Sequence, residues 1–200
     1  VLNALIPLDL MLPTGVSEDE ATSSMFSGFR TYLLARTDVS VATMYNAQSG
    51  LFRAAVALGG SAEQSAALDD DIRSFAVKGV FALTEPDHGS DVAGGMSTTA
   101  RRDGDTWVLT GEKRWIGGAE SADLIAVFAR AEDDGEVKLF LVDRTAEGVT
   151  LATIPGKVSL RPMQNAVITL DEVRVPESAR LQGVDSWRDV ARILRTMRSD

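Results

Sequence analysis

The sequence predicts an α+β fold, in which an N-terminal α-helical segment precedes an antiparallel β-barrel domain. In the first part of the chain, apolar residues recur at three- and four-residue spacing, as on one face of a helix. In the middle part they alternate between turn residues, which is typical of strands. Helical spacing returns at Trp187. We therefore expect a helical domain over 1–78, a β-barrel domain over 79–183 and the start of another helical domain over 184–200.

Length and composition indicate a folded protein that binds neither nucleic acid nor a membrane. The chain has 200 residues, 44% of them apolar, and its 29 acidic and 20 basic residues give a net charge of −9, which disfavours polyanionic partners. No apolar run reaches the roughly 18 residues of a membrane span. The absence of cysteine excludes disulfides and is compatible with a reducing cytoplasm, where we expect the protein. One histidine, His88, excludes a multi-histidine metal site.

The helical segment is expected to begin at Ser24, after an irregular lead-in. Asp38 begins a second helix, which the glycine pair at 59–60 ends. The stretch "SAEQ" then fits a capping box, because the Ser61 hydroxyl can accept from the backbone N–H of Gln64 while the Gln64 side chain reaches back. A third helix is expected from this point.

The middle part predicts about six to eight short strands with regular turns, a pattern typical of a sandwich or barrel rather than a βαβ fold. Asp103 and Gly104 form an Asp-Gly pair between two of the runs, which is a strong hairpin signal. The predicted strands include Gly79–Thr84, Met96–Arg102, Leu124–Arg130, Val137–Asp143, "VTLATI" and "AVITLDEVRV".

The stretch "FALTEPDHGSD", Phe81 to Asp91, has the composition of a ligand-binding loop. Glycine permits close backbone approach, and successive N–H groups can form an anion-binding nest, so Thr84, Gly89 and Ser90 suit a phosphate. The alternative is a plain connecting loop with a proline turn.

A second segment, "GEKRWIGGAESADL", places Trp115 and Ile116 at a strand end before two glycines. A flat aromatic ring beside permissive backbone suits a planar cofactor ring. The alternative is a tryptophan that fills the barrel, followed by a Gly-Gly turn.

Four motifs, "ALTEP..GSD", "G.K.WI", "P.K.SLR" and "VRVP", together resemble the acyl-CoA dehydrogenase family. The resemblance runs from Ser24 to the end of the chain and is strongest from Phe81 to Pro176. "GEKRWIGG" and "LRPMQN" are similar to the branch of glutaryl-CoA dehydrogenases and plant short-chain acyl-CoA oxidases. The family resemblance implies an N-terminal helical domain, a middle β domain and a C-terminal four-helix domain, with FAD bound where the three domains meet. We expect the four-helix domain to be absent from this chain, with the Trp187 helix as its beginning.

The resemblance also implies which residues bind the cofactor. These are Phe81, Leu83, Thr84, Gly89, Ser90, Trp115, Ile116 and Gly117. Thr84 would bond the pyrimidine side of the flavin, and Gly89 and Ser90 would meet the FAD pyrophosphate, with Ser90 also approaching the acyl-CoA substrate. Trp115, Ile116 and Gly117 would cover the other face. Gly117 departs from the common threonine or serine, whose hydroxyl donates near flavin N5, so we expect an altered redox potential or oxygen reactivity.

The implied function is FAD-dependent α,β-dehydrogenation of an acyl-CoA, in which a glutamate takes a proton from Cα while hydride leaves Cβ. The resemblance places that base in the C-terminal domain, so no catalytic residue is assigned here, and Glu85 is expected to be a structural carboxylate. An oxidase that uses oxygen and a non-catalytic half-length subunit remain alternatives. The implied partners are an electron-transfer flavoprotein and further copies of the chain in a homotetramer.

The substrate class is inferred from one helix position. The resemblance implies that glutaryl-CoA enzymes have an arginine at the helix position of Ala42, and without that cation a distal carboxylate would be buried unpaired. A short- to medium-chain monocarboxylic acyl-CoA is therefore favoured. Arg53 could substitute for the missing cation, although an arginine on an amphipathic helix is usually solvated.

Overall fold

The computed structural model describes residues 5–199. A π-helical segment, Ala47–Phe52, joins the third and fourth α-helices. The α-helices are α1 (Glu18–Ala21), α2 (Ser24–Thr37), α3 (Val39–Asn46), α4 (Arg53–Gly59), α5 (Ala62–Arg73), α6 (Val92–Gly95) and α7 (Trp187–Ser199). The first four residues of the predicted 1–78 domain and the last residue of 184–200 lie outside the described residues, and the domain boundaries remain predictions.

The predicted helix starts are confirmed by their caps. The Asp38 carboxylate accepts from the first backbone N–H groups of α3, at 2.7 Å from Ser40 N. Ser61 Oγ accepts from Gln64 N at 3.2 Å and Ser61 N donates to Gln64 Oε1 at 3.0 Å, which completes the capping box of α5. Helix α4 ends at Gly59, as expected.

The π-helical segment was not expected, and its cause is tertiary. Gln48 is 2% exposed; its Nε2 donates to Val77 O at 2.7 Å, and its Oε1 accepts from Gly79 N at 2.8 Å. The Phe52 ring packs so closely on Gly79 that a Cβ there would lie 2.1 Å from it. The widened turn thus allows Gln48 and Phe52 to hold the start of the first strand.

The middle of the chain forms one curled seven-stranded sheet, which confirms the predicted fold class. Most neighbouring strands are antiparallel, but β1 pairs with β4 in parallel. Two residues of β2 also pair with β4 in parallel. The strands are β1 (Gly79–Ala82), β2 (Thr99–Asp103), β3 (Thr106–Gly117), β4 (Leu124–Ala131), β5 (Val137–Asp143), β6 (Val149–Thr153) and β7 (Asn165–Pro176).

Two strands are shorter than predicted. The run expected from Met96 becomes a strand only at Thr99, because the backbone N–H groups of Ser97 and Thr98 donate to the Glu85 carboxylate instead of to a neighbouring strand. Strand β1 ends at Ala82 rather than at residue 84. The chain between β1 and β2 therefore forms a loop that contains only the short helix α6.

Two hydrophobic clusters lie on opposite faces of the sheet. The inner cluster fills the curl of the sheet and includes Trp107, Ile116 and Phe140. The outer cluster joins the helices to the sheet and includes Phe52 and Ile193. Because successive residues of a strand face opposite sides, Val80 and Ala82 belong to the inner cluster while Phe81 packs against the outer one.

Candidate functional site

The two segments that the sequence singled out lie side by side. The backbone N–H of Arg114 donates to the Thr84 carbonyl at 2.8 Å, so the second residue after β1 is joined to the residue before Trp115. Thr84 is half-buried. Its hydroxyl has no hydrogen-bond partner within the described part of the chain, and so it is available to a ligand.

Trp115 is presented by a strained backbone. Its φ is +65°, in the left-handed region that non-glycine residues seldom adopt, and the pairing of β3 with β7 shifts register between Lys113 and Ile116. The side chain is 52% exposed, although tryptophan is one of the most apolar residues. Such strain costs about 1–3 kcal/mol and is concentrated at binding and active sites. The alternative in which Trp115 fills the barrel is therefore excluded.

The backbone carbonyl of Trp115 is bound by residues of a neighbouring loop. Asn165 Nδ2 donates to Trp115 O at 2.8 Å. The Lys157 ammonium in turn donates to Asn165 Oδ1 and to the carbonyls of Leu160 and Met163. Lys157 belongs to the motif "P.K.SLR" and Asn165 to "LRPMQN", and neither contact was predicted from the sequence.

Gly117 lies at the end of β3, where Met163 fills the space that a side chain would occupy. A Cβ on Gly117 would stand 2.1 Å from the Met163 methyl carbon. A small cavity of about 30 Å³ adjoins both residues, and Gln48 and Val80 also line it. This volume suffices for about one water molecule.

The other predicted cofactor residues are presented differently from one another. Leu83 and Ile116 are buried, at 7% and 4% exposure, so they offer a ligand mainly their backbone. Phe81 is half-buried, with its ring 4.8 Å from that of Phe128. Gly89 and Ser90 are exposed, and no heavy atom lies within 4 Å of where a Cβ on Gly89 would stand. The roles of these residues remain predictions.

A buried ion pair, Glu85 with Lys113, lies directly behind the Thr84 and Trp115 segments. Their side chains are 2% and 0% exposed, and Lys113 Nζ lies 2.8 Å from Glu85 Oε1. Burial alone would raise the pKa of Glu85, but the Lys113 ammonium and the hydrogen bonds to this carboxylate outweigh it and lower the pKa to about 2. Burial lowers the pKa of Lys113 to about 8, against the opposing effect of Glu85. Lys113 was missed, although it stands in "GEKRWIGG".

Two kinds of feature are not found in residues 5–199, a metal-binding group and a membrane-spanning helix. These residues contain no group of three or more His, Cys, Asp or Glu residues arranged to hold a metal ion. No helix among them is long and apolar enough to cross a membrane.

Neither of the two helix positions linked to substrate selection presents a free positive charge. Ala42 is 3% exposed in α3. Arg53 forms a two-point ion pair with Asp69, at 2.7 and 3.0 Å, so its charge is already paired. Arg53 is therefore poorly suited to meet a distal carboxylate.

Comparison with known proteins gives the following similarities. Residues 80–173 match the sequence profile described as "Acyl-CoA dehydrogenase, middle domain". The human mitochondrial short-chain specific acyl-CoA dehydrogenase is 35% identical over 151 residues, which are 74% of this chain and 36% of that protein. Glutaryl-CoA dehydrogenase from Mycobacterium smegmatis superimposes with a TM-score of 0.87 at 36% identity, over 98% of this chain and 50% of that one.

A second solved structure was determined with a ligand. It is a glutaryl-CoA dehydrogenase from Mycobacterium smegmatis in complex with FADH2, with a TM-score of 0.86 and 30% identity, over 98% of this chain and 51% of that one. The chain thus spans about half the length of these structures and about a third of the human relative.

Proposed function

We propose that this chain, which belongs to the acyl-CoA dehydrogenase family, provides the N-terminal and middle part of an FAD-dependent acyl-CoA dehydrogenase. The observation on which the proposal chiefly rests is the hydrogen bond that joins the Thr84 segment to the Trp115 segment, 2.8 Å from Arg114 N to Thr84 O. It brings a free hydroxyl close to an exposed aromatic ring. These two groups suit a flavin ring, which has a polar pyrimidine edge and flat apolar faces.

The residues present fit FAD as the cofactor. Within residues 5–199, the hydroxyls of Thr84 and Ser90 and the indole N–H of Trp115 have no hydrogen-bond partner. Open space at Gly89 permits close approach of a pyrophosphate to the backbone. When bound, FAD supplies the acceptor for the hydride that leaves the acyl Cβ.

In this proposal the chain's own residues bind and orient. Thr84 donates to the pyrimidine edge of the ring, and Trp115, with the backbone of Ile116 and Gly117, covers one face and excludes water. Phe81 and Leu83 line the cofactor, while Gly89 and Ser90 hold the pyrophosphate and Ser90 also meets the acyl-CoA. No catalytic base is assigned to this chain. Glu85 is not a candidate, because its low pKa and buried ion pair leave it unable to exchange a proton near pH 7.

The substrate, partners and location are proposed more broadly. Ala42 and the paired Arg53 favour an acyl-CoA without a distal carboxylate, of short to medium chain length. We propose an electron-transfer flavoprotein as electron acceptor, a homotetrameric assembly and a cytoplasmic location. The human relative, by contrast, is mitochondrial by its name.

An oxygen-using acyl-CoA oxidase is a second candidate, and one observation favours it. Position 117 has no side chain to donate to the flavin, and the Met163 methyl group fills its place. At position 117 a bound flavin would therefore contact an apolar methyl group where a serine or threonine would offer a hydroxyl. A non-catalytic half-length subunit would likewise keep its bound flavin oxidised when substrate is added.

The test is the visible absorption spectrum of the purified chain after incubation with FAD, recorded without oxygen before and after butyryl-CoA is added. Protein-bound flavin bands that remain oxidised support a cofactor-binding part that lacks the base. Bleaching would contradict our view that the base lies elsewhere, and the rate of recolouring in air would then separate oxidase from dehydrogenase. The absence of bound flavin would contradict the proposal that this chain binds FAD.

A further inference from the structure

The ion pair between Glu85 and Lys113 uses two charges that the proposed reaction does not need. Both side chains are buried, and no other pair of opposite charges in residues 5–199 is buried so completely on both sides. A buried ion pair is weak evidence for stability, because well-packed apolar residues in its place are often as stable or more so. The pair therefore calls for an explanation other than stability.

The contacts of Glu85 close the loop that contains Gly89 and Ser90. Its two carboxylate oxygens accept from Ser97 N at 2.6 Å and from Thr98 N at 3.0 Å. The loop 86–96 thus begins next to Glu85 and ends next to two residues that are hydrogen-bonded to the Glu85 side chain. The far end is fixed further, because the Thr98 carbonyl accepts from Arg130 N on β4 at 2.8 Å.

The contacts of Lys113 join this closed loop to the tryptophan segment. Its ammonium donates to Glu85 Oε1 at 2.8 Å and lies 3.4 Å from the Leu83 carbonyl, on either side of Thr84. Lys113 is also the residue at which the pairing of β3 with β7 begins to shift, two positions before the strained Trp115. One ammonium group thus contacts both residues that flank Thr84 and belongs to the strand that presents the ring.

We propose that Glu85 and Lys113 are positioning residues, which set the distance between the loop 86–96 and the Trp115 ring and thereby the width of the cofactor site. The inference rests on the proposed function only in that it takes these two segments to hold FAD. A carboxylate is needed because two backbone N–H groups and one ammonium group converge on it. A neutral pair of similar size could fill the space but could not hold all three donors.

The test compares the double variant Glu85→Gln/Lys113→Met with the native chain. The double variant removes both charges and keeps one acceptor for the loop amides, so we expect the chain to fold with a similar melting temperature. We also expect its dissociation constant for FAD to rise at least about tenfold and its bound-flavin bands to shift. Amide hydrogen exchange without FAD should become faster in both 86–97 and 114–117.

A matched control removes another lysine that is nearly buried. Lys138, on β5, is 7% exposed, and its Nζ lies 2.8 Å from Asp134 Oδ2. Asp134→Asn/Lys138→Met should leave FAD binding and exchange in 86–97 and 114–117 at native values. If the double variant at 85 and 113 also retains native exchange and native FAD affinity, the pair only fills space and the inference is wrong.

Two further outcomes remain informative. If the native chain does not bind FAD, the cofactor proposal fails, while the exchange rates of the two segments still test the positioning role. If the double variant does not fold, Glu85→Asp is used, because its shorter carboxylate cannot reach Lys113 and both amides at once. Faster exchange in both segments would support the inference, and native exchange in both would overturn it.

Discussion

The contact between Gly117 and Met163 gives a prediction whose magnitude follows from the geometry. In Gly117→Ser, the new Cβ would stand 2.1 Å from the Met163 methyl carbon. This is about 1.5 Å inside the normal separation of two carbon atoms. Met163 is 8% exposed, so its methyl group must rotate into already packed surroundings. We expect the free energy of unfolding to fall by about 1–3 kcal/mol.

Met163→Ala should relieve this clash. Alone it removes buried apolar atoms beside the existing cavity of about 30 Å³, and we expect it to destabilise the chain by roughly 2 kcal/mol or more. In the double variant, the alanine leaves room for the serine, so its loss should be at least ~1 kcal/mol smaller than the sum of the two single losses.

The assay is urea unfolding followed by tryptophan fluorescence, with the four proteins compared as a double-mutant cycle. Gly28→Ser is the control glycine, because no heavy atom lies within 4 Å of its Cβ position. It should show no coupling to Met163→Ala. Additive losses for Gly117→Ser and Met163→Ala, within about 0.5 kcal/mol, would refute the reasoning.

Three further predictions concern the neighbouring residues. Gly111→Ala should lower the free energy of unfolding by about 1–3 kcal/mol, because Gly111 has φ +152° and its Cβ would lie 2.6 Å from Thr98 Cα; an unchanged urea midpoint would contradict this. Thr84→Val should weaken FAD binding about threefold to tenfold at an unchanged urea midpoint, and a native FAD affinity would remove Thr84 from the site. Since the pKa of Glu85 is lowered from 4.5 to about 2, its contribution to stability is present above pH 4.5 and lost as pH falls towards 2. Urea midpoints measured across this window should fall less steeply in Glu85→Gln than in the native chain.

Local rules predicted those parts of the fold whose causes are close together in the chain. The capping box of Ser61 and Gln64 depends on side chains three residues apart, and the turn at Asp103 and Gly104 on a glycine with φ +64°. The apolar run "VKLFLVD" placed β5 at the residues where it lies. In each case the chemistry that forms the structure is contained in a few consecutive residues.

The unpredicted parts depend on residues that are distant in sequence. The π-helical segment forms because Gln48 and Phe52 contact Val77 and Gly79. The parallel pairing of β1 with β4 has no local signature, since it needs the whole sheet. Long-range contacts of this kind arise from packing, which periodicity and turn propensity do not encode.

The candidate site was predicted in its residues but not in its support. Motif resemblance indicated Thr84 and Trp115, whereas the left-handed backbone of Trp115 and its contact with Asn165 appear only in three dimensions. Glu85 was expected to be structural, and the structure gives it a specific partner in Lys113, 28 positions along the chain. Lys113 stands between Glu112 and Arg114 in the sequence, so its immediate neighbours do not mark it as a buried lysine that requires a partner.

The central claim, that Trp115 and Thr84 form a flavin site, is tested most directly by titrating FAD into the native chain and into Trp115→Ala, with the visible difference spectrum as readout. Trp187→Phe, on α7, serves as the control for loss of a tryptophan. We expect the native chain and Trp187→Phe to show the same band shift and affinity, and Trp115→Ala to bind at least about tenfold more weakly or with a different spectrum. Equal affinity and equal spectra for all three proteins would contradict the account.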